Sequence, residues 1–281
     1  MSSEQSGQSS RGVFSFLVVL LLMVIIGLQL WYMLDVKKQL DNIQGEYDSL
    51  QSIINGSASS SEQNTYSILS ITDGKTIIPF ISSKDHKQIY DGNKGPNTGG
   101  MGVIAPNPYC TDKVLANFEK DIMDPTLKGI KADGIEFSGI IFFGLMIKDG
   151  ETYLLEYNMR MGDPETQVVL ELMESDFMTV VEKAVDKKLS EVEMQWRDEA
   201  ACCVVGAAPG YPASYPKGLE IKGYEDNKRD VIIAGGVFKE GALQTSGGRV
   251  LASISTHKQL DEAISKAYSV LEDVKFEGMY T

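Results

Sequence analysis

The stretch Leu154-Leu155-Glu156-Tyr157-Asn158-Met159-Arg160-Met161-Gly162-Asp163-Pro164-Glu165-Thr166 joins an alternating, strand-like run to the start of a helical one. Side chains on a strand alternate with a period of two, so Glu156, Asn158 and Arg160 are expected on one face. A carboxylate and an amide oxygen at this spacing are hard ligands suited to Mg2+, which keeps its other positions for water and nucleotide phosphates. An arginine beside them can neutralise the oxygens of a phosphoryl group in transfer or of an acyl phosphate. A solvent-facing ion pair between Glu156 and Arg160 fits the same residues, and spacing does not choose between the two.

Working outward, residues 139–147 and 152–157 flank Lys148-Asp149-Gly150-Glu151 and read as a β-hairpin. Residues 67–72 and 76–80 form a second one, meeting at Asp73-Gly74. Between the hairpins, residues 111–131 carry helical apolar spacing at Val114, Leu115, Phe118 and Ile122, interrupted at Asp124-Pro125, where a second helix can start. Residues 166–189 read as helix in two pieces around Ser175-Asp176. Strands near 201–206 and 230–237 and a helix over 258–271 follow. The pattern is α/β, with a boundary near Glu193 dividing residues 66–193 from 194–281.

The second chemistry-bearing stretch is Gly95-Pro96-Asn97-Thr98-Gly99-Gly100-Met101-Gly102, preceded by Asp85-His86-Lys87. Four glycines in eight positions permit positive φ, so successive N–H groups could converge on a phosphate or carboxylate, with Asn97 and Thr98 adding donors. A tight surface loop is the plainer reading. The stretch lacks the Gly-Lys-Ser/Thr ending of a P-loop, and no strand runs into its first glycine as a dinucleotide fingerprint requires. A third cluster, Thr245-Ser246-Gly247-Gly248-Arg249, could contact an anion, yet a glycine-rich turn is the simpler account. Cys202 and Cys203 are expected on opposite sides of an apolar strand as small core residues.

Residues 12–34 carry no Asp, Glu, Lys or Arg. About 23 residues at 1.5 Å each cross a hydrocarbon core of roughly 30 Å, so this run reads as a single-pass membrane helix, with a cleaved signal peptide as its rival. Within 35–65, Val36, Leu40, Ile43, Tyr47, Leu50 and Ile54 recur at spacings of four and three, an amphipathic stalk that could pair two copies as a coiled coil. A Ser-rich linker at 57–61 follows. The net charge of −13 argues against nucleic acid as the main partner. Three cysteines and two histidines are too few for a disulfide framework or a multi-histidine metal centre.

The strings Asp85-His86-Lys87 through the Gly95–Gly102 loop, residues 156–170 (EYNMRMGDPETQVVL), 245–251 (TSGGRVL) and Gly210-Tyr211-Pro212 resemble phosphoribosylamine-glycine ligases of the ATP-grasp superfamily. The resemblance implies an ATP-grasp domain, present only in part, followed by a small mixed α/β carboxyl-terminal domain. It implies ATP-dependent joining of glycine to 5-phosphoribosylamine through a glycyl phosphate, giving glycinamide ribonucleotide, ADP and phosphate in purine synthesis. By the same resemblance Glu156 and Asn158 would hold Mg2+ (or Mn2+) on ATP, and Arg160 would stabilise the acyl phosphate. Asp163 and Glu165 would orient the strand end. Asp85, Lys87, Asn97, Thr98, Gly99, Gly100, Met101 and Gly102 would line the substrate pocket. The family's amino-terminal half is not matched, so impaired activity is expected, along with a membrane location whose soluble part faces the cytoplasm. A second polypeptide supplying the missing lobe would complete the site. The alternative is a membrane-anchored, catalytically incomplete interaction module.

Overall fold

The computed structural model describes residues 64–281 and a helical pair at Lys37 and Lys38. The apolar run 12–34 and, apart from those two lysines, the heptad stalk and Ser-rich linker lie outside the described residues. The single-pass membrane location is corrected: among the described residues no helix is long and apolar enough to cross a membrane. The longest, Leu260–Asp273, has 14 residues. At 1.5 Å per residue it reaches about 21 Å, short of a hydrocarbon core of roughly 30 Å.

The first sheet has four antiparallel strands in the order β2 (Ile77–Pro79), β1 (Asn64–Thr72), β7 (Gly139–Lys148), β8 (Glu151–Asn158). β1 and β7 pair from Asn64↔Ile147 to Thr72↔Gly139. The β7–β8 hairpin turns through Asp149 and Gly150, both at positive φ (54° and 76°), the geometry that favours Asp-Gly in a two-residue turn. On one face of this sheet lies a helical run of α1 (Asp112–Phe118), a π-helical turn (Glu119–Met123) and α2 (Asp124–Ala132), with Pro125 in the first turn of α2. Phe118 and Ile122 pack there against Tyr66, Ile68, Phe143 and Leu145.

The second sheet runs β10 (Val231–Ile233), β13 (Arg249–His257), β9 (Ala200–Ala207), β6 (Gly102–Ala105), β3 (Lys84–Asp85). It draws strands from both sides of residue 193. Two small ribbons complete the strands, β4 (Gln88–Tyr90) with β5 (Lys94–Asn97) and β11 (Gly236–Lys239) with β12 (Ala242–Thr245).

Helix α3 (Glu165–Leu172) contributes Val168, Val169 and Leu172, all fully buried, to a core that includes Leu69, Ile71 and Phe142 of the first sheet and Val103, Cys203, Val205 and Ala252 of the second. Burying each such side chain is worth roughly 1.5–3 kcal/mol. Helix α4 (Phe177–Val185) follows, started by Asp176, whose carboxylate accepts the Thr179 N–H at 2.7 Å. Helix α5 (Leu260–Asp273) covers the far face of the second sheet through Ala263, Ala267 and Leu271, against Cys202, Val204 and Leu251. Cys202 and Cys203 thus face opposite cores, and burial pushes the Cys202 thiol up to about 12, away from reactivity.

The expected strand over 230–237 is two strands in different sheets. Gly235 lies between them, packed so closely that a Cβ there would come 2.5 Å from the Arg249 carbonyl oxygen and 2.8 Å from Gly247 Cα.

Candidate functional site

The end of β8 meets the first sheet with a register shift between Gly144 and Leu145, after which Glu156 stands opposite Gly144 and Asn158 opposite Phe142. The absence of a side chain at Gly144 makes room for Glu156, whose Cγ would lie 2.8 Å from a Cβ placed there. The Asn158 amide donates to Glu156 Oε1 at 3.1 Å, so these two side chains meet as the strand period demands. The alternation does not extend to Arg160. β8 ends at Asn158, and the exposed Arg160 guanidinium donates to the Met161 carbonyl at 2.9 Å rather than pairing with Glu156.

Glu156 shares a cleft of about 180 Å3 with Ser67, Asp85, Lys87 and Gly144. Asp85, on the short edge strand β3, is 7% exposed, and its Oδ1 has no hydrogen-bond partner among the described residues. Burial, reinforced by the charge of Glu165 and partly offset by Lys87 and Arg249, pushes its carboxyl up to about 8. Glu165, 3% exposed at the start of α3, accepts the Ser67 hydroxyl at 3.1 Å.

The Gly95–Gly102 loop adjoins the cleft, but its N–H groups do not converge on an open anion site. Thr98 N–H donates to the Lys87 carbonyl at 2.7 Å, Gly99 to the Tyr211 hydroxyl at 2.9 Å, Gly100 to Thr98 Oγ1 at 3.0 Å, and Met101 to the His86 carbonyl at 2.8 Å. The donors are consumed in holding the loop's shape. Asn97 is exposed on β5, Met101 is buried, and Gly102 opens β6. Gly100 has φ +117° and sits so tightly that a Cβ would be 2.5 Å from Pro164 Cδ and 2.6 Å from Asp85 Oδ1.

Arg249 is the residue that chemical reading of the sequence undervalued. From the first position of β13 its guanidinium donates to Gly99 O at 2.9 Å and, more weakly, to Gly100 O at 3.4 Å. It also donates to Asp163 O at 2.7 Å and pairs with Asp163 Oδ2 at 2.9 Å. The remaining Asp163 oxygen accepts the Gln167 amide at 2.8 Å. Gly-Gly-Arg before a strand was the available signal. Tyr211 and Ser67 had none in local chemistry, because their partners lie 112 and 98 residues away.

Among the described residues no group of three or more His, Cys, Asp or Glu could hold a metal ion. Glu156 and Asn158 instead offer two oxygen-bearing side chains at one open strand end. That donor set fits a Mg2+ that takes few ligands from protein and the rest from water and phosphates.

Two sheets with a cleft lined by Ser67, Asp85, Lys87 and Glu156 make this a mixed α/β protein of the ATP-grasp type. Residues 52–166 match the family model for the phosphoribosylglycinamide synthetase ATP-grasp (A) domain, and residues 201–281 match that for the phosphoribosylglycinamide synthetase C domain. Both matched domains are domains of the phosphoribosylglycinamide synthetases. It is 60% identical over 214 residues to a phosphoribosylamine-glycine ligase of Clostridium acetobutylicum and 52% identical over 219 residues to one of Fusobacterium nucleatum. Each match covers 76% of this chain and 51% of the relative, so the chain spans about half the length of these proteins. The crystal structure of the Thermotoga maritima phosphoribosylamine-glycine ligase superposes with a TM-score of 0.69 at 36% identity, covering 77% of this chain and 54% of that one.

Proposed function

We propose that this chain carries the magnesium-binding and substrate-binding portion of a phosphoribosylamine-glycine ligase, which joins glycine to 5-phosphoribosylamine with ATP in purine synthesis. The observation that carries this reading is the meeting of Glu156 and Asn158 at a strand end that shares its cleft with Asp85 and Lys87. Residues 66–193 are read as the partial ATP-grasp portion and 194–281 as the carboxyl-terminal domain.

Glu156 and Asn158 would hold Mg2+, whose chemistry when bound is charge neutralisation on phosphate oxygens. The guanidinium of Arg160, which donates to the Met161 carbonyl of its own loop, would face the acyl phosphate. Asp163 and Glu165 act by orientation: one fixes the loop through Arg249, and the other is fixed by Ser67. Lys87, Asp85 and the loop from Asn97 to Gly102 would line the pocket for the two small substrates. Phosphoryl transfer needs this positioning and charge neutralisation more than a covalent nucleophile.

Glu156 and Arg160 are exposed, and electrostatic stabilisation is worth most where water is excluded. Slow turnover by the chain alone is therefore expected, raised by a polypeptide that covers this strand end. The test is ADP release by the purified chain with freshly generated 5-phosphoribosylamine. Dependence on glycine and loss in Glu156→Gln support the reading. ADP release that ignores glycine, or that survives the substitution, overturns it.

A further inference from the structure

When an amine attacks an acyl phosphate, its nitrogen gains positive charge as the C–N bond forms and must shed a proton. An acceptor in the cleft has to be a carboxylate that lines it and keeps a lone pair free. Glu156 stands at the exposed strand end assigned to the metal, and Glu165, which accepts the Ser67 hydroxyl, is not among the residues lining the cleft. Lys87 and Arg249 are cations with no acceptor capacity. Asp85 is different. It lines the same cleft, it is almost wholly buried, and its Oδ1 is unpartnered among the described residues.

The groups that face it are drawn from every surrounding element: Glu165 of α3, Lys87 of its own loop, Arg249 of β13, and across the cleft Ser67 of β1 and Glu156 of β8. None neutralises it directly. The Arg249 guanidinium is consumed by Gly99, Gly100 and Asp163, and the Ser67 hydroxyl by Glu165. Gly100 keeps this arrangement open, since any side chain there would press on Asp85 Oδ1.

We propose that Asp85 accepts the proton of the amine that attacks the acyl phosphate. The amine lone pair forms the C–N bond, and the carbonyl C–O bond to phosphate breaks, its electron pair leaving with phosphate. The N–H proton passes to an Asp85 carboxylate oxygen. This role rests on the ligase reading. Burial lifts the Asp85 carboxyl to about 8, so the ionised form that accepts the proton grows as pH rises through neutrality and transfer should quicken with it.

The test compares two nucleophiles on the full chain with ATP and glycine. Hydroxylamine traps the acyl phosphate as a hydroxamate and sheds its proton to water, whereas 5-phosphoribosylamine needs the acceptor. In Asp85→Asn, transfer to 5-phosphoribosylamine is expected to fall by about 100-fold. Hydroxamate formation should fall at least about tenfold less, and the rise of transfer rate with pH should disappear. Asp85→Glu should restore part of the transfer. Equal losses with both nucleophiles, or transfer that persists with its pH dependence intact, would overturn the role of Asp85. Absence of glycine-dependent hydroxamate from the unaltered chain would instead overturn the ligase reading itself. A thermal melt of each variant separates these outcomes from misfolding.

Discussion

Arg249 Nη2 lies 2.9 Å from Asp163 Oδ2, joining the first residue of β13 to the loop that opens α3, 86 positions earlier in the chain. The same guanidinium reaches the carbonyls of Gly99, Gly100 and Asp163, so three motifs far apart in sequence converge on one side chain. The Arg249 side chain is 21% exposed, and charge-assisted bonds in such a setting are stronger than surface ion pairs.

Replacing Arg249 by Ala should therefore destabilise the protein by about 2–3 kcal/mol, read as a lower denaturant midpoint. Gly99 supplies the control. It has no positive φ, and a Cβ added there would meet Arg249 Cζ at 2.9 Å. Gly99→Ala should cost about 1–2 kcal/mol in the unaltered chain and close to nothing beside Arg249→Ala. Additive losses in the double variant would show that the two residues are not in contact.

Gly100→Ala should be the more damaging change. Positive φ and the approach of Pro164 Cδ and Asp85 Oδ1 leave neither conformational nor spatial room for a methyl group. A loss of about 2–4 kcal/mol is expected from equilibrium unfolding, unrelieved by Arg249→Ala.

The pH dependence of stability should carry the mark of Asp85. Its carboxyl is raised from 3.8 to about 8, so between those values the folded chain holds a proton that the unfolded chain releases. Stability contributed by that proton is full below about pH 4 and is lost as pH rises toward 8. Asp85→Asn removes the loss. The variant should gain about 1–3 kcal/mol over the unaltered chain at pH 8–9 and much less at pH 4–5. Equal melting temperatures across this range would show that Asp85 is ionised throughout.

Asp73 should show the opposite sign. It is 2% exposed, and its carboxylate accepts the backbone N–H groups of Lys75 at 2.8 Å, Thr76 at 2.7 Å and Leu189 at 3.1 Å. Burial alone would raise its carboxyl, but these donors together hold it below the ordinary value. Its contribution is present above about pH 4 and fades as pH falls through the lowered value. Asp73→Asn should cost about 2–3 kcal/mol at pH 7, narrowing toward pH 3, by denaturant titration at each pH.

Local chemistry made the hairpins legible. Asp73-Gly74 and Asp149-Gly150 both turn the chain between paired strands. Pro125 and Asp176 open helices where the sequence placed them. Glu156 and Asn158 came together because a strand's alternation is a local rule, and Arg160 did not because the strand stops before it. What stayed hidden is long-range. Nothing in residues 98–101 shows that their N–H groups are already committed, since two of the acceptors belong to the preceding β3–β4 loop and one to Tyr211. Arg249 read as part of a turn because its four acceptors lie 86 to 150 positions away.

The pairing of β6 with β9, from Gly102↔Val204 to Ala105↔Ala201, means that the two family domains are stitched by main-chain hydrogen bonds rather than merely apposed. A gene cut near codon 193 would leave each product with a raw sheet margin, sticky toward its counterpart and toward itself. The two pieces are then expected to reassemble by complementation when co-expressed and to precipitate when made apart.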